Sequence, residues 1–305
     1  AITLDDSSNA FNGTVTFTTD SGSAVTIVDT TALDLVALTV ASLNVTSGGA
    51  ITDSGTLAIA GATTISASGQ DITLDEAAST FGTLALTGAN VAVTDAGATD
   101  LGASTVSGTL GITSAGAVTD SGTLAITGAT TISASGQDIT LDEAASTFGT
   151  LALTGANVAV TDAGATDLGA STVSGTLGIT SGGAVTDSGT LAITGATTIS
   201  ASGQDITLDE AASTFGTLAL TGANVAVTDA GATDLGASTV SGTLGITSGG
   251  GVTDSGTLAI TGATTISASG QDITLDEAAS TFGTLALTGA NVAVTDAGAT
   301  DLGAS

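Results

Sequence analysis

Gly55-Thr56-Leu57-Ala58-Ile59 returns at Gly122, Gly189 and Gly256, each time at a step of 67 in the numbering. Around it one alternation dominates. Thr83-Leu84-Ala85-Leu86-Thr87 and Asn90-Val91-Ala92-Val93-Thr94 set a large apolar residue against a small or polar one at every second place. Successive side chains of a strand point to opposite faces, so a period of two predicts strands with one buried face. The abundant Val, Ile and Thr suit strands. Gly, Asn, Asp and Ser break the runs at Gly61, Ser68-Gly69, Gly88-Ala89-Asn90, Ala96-Gly97 and Ser107-Gly108, where corners are expected.

The whole chain is built from this block. Copies differ at few places, such as Ala60 against Thr127 and Ala115 against Gly182, and the stretch 1–54 reads as a diverged copy. The blocks are 1–54 (partial), 55–121, 122–188, 189–255 and 256–305 (partial), forming one continuous solenoid in which each unit buries its apolar face against its neighbours. A chain that starts and stops within a block is expected to be a stretch of a longer array. The fold class expected is all-β, a right-handed parallel β-helix. Val93-Thr94-Asp95 is echoed by Val118-Thr119-Asp120 at a spacing of 25. That echo predicts about three coils per block, two of about 25 residues and one of about 17. The inward face is expected to be Leu57, Ile59, Ile65, Ile72, Leu74, Leu84, Leu86, Val91, Val93, Leu101, Leu110, Ile112 and Val118 with their copies. Phe81, Phe148, Phe215 and Phe282 occur once per block and are read as core or corner filling.

Composition narrows function. The chain has 29 acidic residues and no Lys, Arg, His, Cys, Met, Trp, Tyr or Pro, for a formal charge of −29. It therefore lacks an imidazole, amine or thiol for acid–base or nucleophilic work. It also lacks the cations that nucleic acid requires, and anionic membranes repel it. Apolar runs are too short to span a bilayer. The chain is not expected to be an enzyme. Asp71 and Asp75 share a strand face about 13 Å apart, beyond the reach of a glycosidase carboxylate pair.

Calcium is the candidate cofactor, because aligned coils would bring carboxylates together and hard cations favour such oxygens. The echoes pair Asp75 with Asp100 and Asp95 with Asp120. In the copies they pair Asp142 with Asp167, Asp162 with Asp187, Asp209 with Asp234, and Asp229 with Asp254. The competing reading, weighed ahead of it, is a solvated acidic surface that keeps the protein soluble. Ice or polysaccharide binding through Thr-rich faces is a further expectation, weakened because Thr-x-Thr does not recur coil after coil in the sequence.

The phrases Ser-Gly-Thr-Leu-Ala-Ile-Thr-Gly-Ala and Gly-Thr-Leu-Ala-Leu-Thr-Gly-Ala-Asn-Val-Ala-Val resemble the repeats of filamentous haemagglutinin-type bacterial surface proteins. Those are right-handed β-helices exported by two-partner secretion or as autotransporter passengers. The resemblance implies a structural rod of an extracellular filament, a cell-surface adhesin or a biofilm matrix fibre. Its expected partners are other copies, end to end or laterally, and a host or neighbouring-cell surface or polysaccharide. Nucleic acid and membrane insertion are not expected.

Overall fold

The computed structural model describes residues 1–12 and 14–303; Gly13, Ala304 and Ser305, in the first and last blocks, lie outside the described residues. The described chain is a parallel β-solenoid, with strands and turns and no helix among the described residues. It forms two compact units, Ala1–Gly155 and Ala156–Ser305.

In the first unit, short strands lie in two stacks around one core. Leu33, Ile51, Ile72, Val91, Leu110, Thr130 and Leu151 are successive rung partners in one stack, all parallel. In the other, Ile2, Val25, Leu43, Thr63, Leu84, Leu101 and Asp120 follow each other in the same way. Backbone groups bond from coil to coil: Val91 N–H donates to Thr109 O at 2.8 Å and Leu110 N–H to Ala129 O at 2.9 Å. All thirteen residues expected to face inward are buried, as are the four repeated Phe rings; among their copies Val292 and Leu302, in the last coil described, are exposed. Alternation of Leu, Ile and Val with Ala, Thr and Gly thus becomes a core on one side and a thin polar skin on the other.

The coil length differs from expectation. Spacings between rung partners run from 17, as in Leu84–Leu101, to 23, as in Ile2–Val25. The echo at a spacing of 25 does not mark a coil. Val93 pairs with Ile112, while Val118 lies in the other stack against Thr99. Every strand solves the same burial problem with the same few residues, so an echo reports strand type and not register.

The second unit fixes the true count. Val158, Leu177, Thr197, Leu218 and Leu235 are successive rungs; Leu235 pairs with Asp254, and Val252 on that same strand leads through Ile273 to Val292. These seven steps carry Val158 to Val292, its own equivalent two blocks on. Leu168 to Leu302 in the other stack takes seven steps as well. One block is therefore three and a half coils, not three. A half coil carries the chain to the other stack, so Val158 and its copy Val225 stand in different stacks.

Candidate functional site

The only ionisable side chains are the carboxylates, and each complete block places four of its six in recurring hydrogen-bonded settings, Asp75, Glu76 and their copies being the other two. In the first, the strand Val91–Asp95 ends with its last side chain turned inward, and Asp95 is only 1% exposed. Asp95 Oδ1 accepts from Gly97 N–H at 2.8 Å, closing an Asx turn that starts the corner. Oδ2 lies 3.1 Å from Thr99 Oγ1, which lies 2.9 Å from Ser114 Oγ on the next coil. Ser114 Oγ is also 3.1 Å from Gly97 O, whose other lone pair accepts Gly116 N–H at 2.7 Å. With one proton per hydroxyl, Thr99 gives its own to the buried carboxylate, and Ser114 has Thr99 Oγ1 and Gly97 O as its acceptors. Asp229, Thr233 and Ser248 repeat the arrangement, with Thr233 Oγ1 3.1 Å from Asp229 Oδ2 and 2.9 Å from Ser248 Oγ. Burial pushes the Asp95 and Asp229 carboxyls above the usual range, and the N–H and hydroxyl donors pull them part of the way back.

In the second setting a carboxylate reaches across to the neighbouring coil. Asp53 Oδ1 accepts from Asp75 N–H at 2.9 Å; Asp120 does the same for Asp142 N–H at 2.8 Å and receives Glu143 N–H at 3.4 Å. Asp187 and Asp254 hold Asp209 and Asp276 alike. Burial raises Asp53 to about 6, helped by the nearby Asp75 and Glu76 charges and opposed by their N–H groups. Asp120 and Asp187 are raised for the same leading reason.

The other two settings lie on the surface. Asp100 Oδ2 accepts from Thr83 Oγ1 at 2.9 Å and from Ser121 Oγ at 2.8 Å, one hydroxyl from each adjoining coil. Asp71 Oδ1 accepts both N–H groups of Asn90, whose Oδ1 in turn accepts Thr109 N–H at 3.1 Å, so Asp, Asn and Thr climb one corner.

None of the proposed calcium pairs within a unit forms a rung pair. Asp95 stands opposite Ser114, Asp162 opposite Ser181, and Asp229 opposite Ser248. Asp120, Asp187 and Asp254 stand opposite Leu101, Leu168 and Leu235. Asp100 pairs with Thr83 and Thr119, and Asp234 with Thr217 and Thr253, which leaves Asp75 and Asp209 without the expected carboxylate opposite. Asp167 stands opposite Thr186, and Asp142 has its N–H held by Asp120. The misplaced register is the reason: coils shorter than the echo exchange every partner. Among the described residues no three acidic side chains come together as a cation cage.

The register also assembles rows that the sequence hid. Thr94, Thr113, Ser133 and Thr154 occupy one position on four consecutive coils, all facing outward. The intervals between them are unequal, so no fixed spacing announces the row.

A family model described as repeats of unknown function (DUF5649) matches residues 22–87, 88–154, 155–221 and 222–289. The chain belongs to this family. The four DUF5649 repeats run on from each other and take in most of the first, diverged block as well. The repeat at 88–154 holds one copy of each carboxylate setting: Asp95, Asp120, Asp100 and Asp138. No curated protein and no solved structure matches the chain.

Proposed function

We propose that this DUF5649 chain is a non-catalytic structural segment of an extracellular filament, of the kind that extends a cell-surface adhesin or builds a biofilm matrix, wound right-handed as its resemblance implies. One observation carries the reading. Apart from Asp75 and its copies, the carboxylates that would make a site are engaged in joining coils: Asp53 and Asp120 hold the turn of the next coil, and Asp95 anchors a corner through Thr99, which meets Ser114 of the next coil. The same groups recur in every block, which suits interchangeable length better than one reactive centre. An export route and a surface location accord with this composition and with the resemblance.

Calcium cross-linking needs carboxylates set against each other, whereas the register sets them against hydroxyls and N–H groups. Negative-stain electron microscopy of the purified chain, with calcium and with a chelator, tests both readings. Uniform thin particles under both conditions support the structural segment. Compact globules overturn it, and assembly seen only with calcium moves the function to the cation.

A further inference from the structure

In the second unit, four consecutive coils turn only Ala, Gly, Thr and Ser outward. On one stack the strip runs from Ala159 and Thr161 to Ala219 and Thr221, and on the other from Ala226 and Thr228 to Ala286 and Thr288. Beside the last strand of each strip the next coil turns a carboxylate outward, Asp234 against Thr217 and Asp301 against Thr284, while Thr221 itself meets Thr239. The strip is not flat. Gly245 leaves a shallow groove between its neighbours, and Thr265 with Ser267 on the next coil stands beside it as a ridge.

We infer that these strips are where a second copy of this chain docks, face to face, and that docking proceeds from both stacks so that copies join into rafts. Groove and ridge lie one strand spacing apart, about 4.8 Å. A two-fold axis midway between them seats each copy's ridge in the other's groove, which is the self-complementarity an isologous contact needs. Charge selects the same face. The chain carries 29 acids and no side-chain cation, so most other pairings bring carboxylates together, while here Asp209 stays at the rim. The half coil in each block then supplies a second strip on the other stack, so a docked copy still offers a free face. This rests on the structural-segment reading and adds which face self-associates and how far association runs.

Thr46, Thr113, Thr180 and Thr247 are exposed equivalents in successive blocks. A variant carrying Thr46→Glu, Thr113→Glu, Thr180→Glu and Thr247→Glu places a charge on both strips, at Thr180 and Thr247, and at the equivalent positions of the first unit. A control carrying Thr52→Glu, Thr119→Glu, Thr186→Glu and Thr253→Glu adds the same charge beside Asp34, Asp100, Asp167 and Asp234. Far-ultraviolet circular dichroism checks that both are folded. Sedimentation velocity and microscopy are run at about 0.5 M salt, where exposed charges are screened within a few ångströms. Expected are rafts several molecules wide for the parent and the control, and association at least tenfold weaker for the strip variant. Pairs that never widen, a strip variant that assembles like the control, or a parent that stays single overturns the inference. So does thermal hysteresis that the strip substitutions abolish without any assembly, since ice would then be what covers the face. Single thin particles would still leave the structural-segment reading standing.

Discussion

Thr130 and Ser146 show how differently a buried hydroxyl can act. Both are 0% exposed. Ser146 Oγ accepts Leu124 N–H at 3.0 Å across the coil, and Ser79, Ser213 and Ser280 do the same for Leu57, Leu191 and Leu258. Thr130 sits inward between Leu110 and Leu151, and its hydroxyl, like those of Thr63, Thr197 and Thr264, has no partner. Thr130→Val should therefore stabilise by about 1 kcal/mol, while Ser146→Ala strands an N–H and should cost about 1 to 3 kcal/mol. Urea unfolding of the two variants should move in opposite directions. The buried acids add a pH effect. Asp53, Asp95, Asp120, Asp187 and Asp229 are all raised above the unfolded value of 3.8. Their protonated forms favour the fold, so stability is full below that value and falls as pH rises through the folded pKa, for Asp53 between 3.8 and about 6. The melting temperature should be higher at pH 4.5 than at pH 7.5. Asp53→Asn keeps the acceptor for Asp75 N–H and should raise it at pH 7.5 while flattening part of that slope.

At the scale of strands and corners, two kinds of glycine can be told apart. Gly136 turns the corner with φ +76° and open space around it, so Gly136→Ala should cost about 1 kcal/mol from backbone conformation alone. Gly128 has an ordinary φ, but a Cβ there would collide with the Gly108 carbonyl of the coil before it, and Gly149 meets Gly128 in the same way. Gly128→Ala should cost more, about 1 to 3 kcal/mol, because backbone must move. Thermal denaturation of the pair ranks the two causes. The strands themselves were legible in the sequence, since Leu84, Leu86, Val91 and Val93 declare their inward face by alternation. What was not legible was which strand lies on which. Coils of unequal length share one block, as the steps Leu84–Leu101, Val91–Leu110, Leu110–Thr130 and Thr130–Leu151 show. The contacts that distinguish them, such as Asp53 reaching Asp75 N–H, join residues whose separation carries no motif. The candidate site was half legible for that reason: its carboxylates were evident, and their hydroxyl and N–H partners were not.

For the molecule as a whole, stability should be roughly a sum over coils and their neighbours. Removing residues 122–188 joins Ser121 to Gly189 in the same local sequence that Gly122 supplied, so every rung finds its usual partner. The shortened chain should fold with the same spectrum and a slightly lower melting temperature. Removing 122–178, a deletion of three average coils, should broaden or abolish cooperative melting, because it places strands of the wrong length and corner type against each other. Calorimetry of the two deletions separates a rule of blocks from a rule of coils.

The half coil also gives copy number a parity. Each added block sends whatever follows it to the other stack, and a second added block sends it back. Gaining or losing one repeat would thus change the side from which a downstream element emerges, while changes in pairs would alter reach alone. Variation in repeat number, usually read as a change of length, becomes in this architecture a switch of direction.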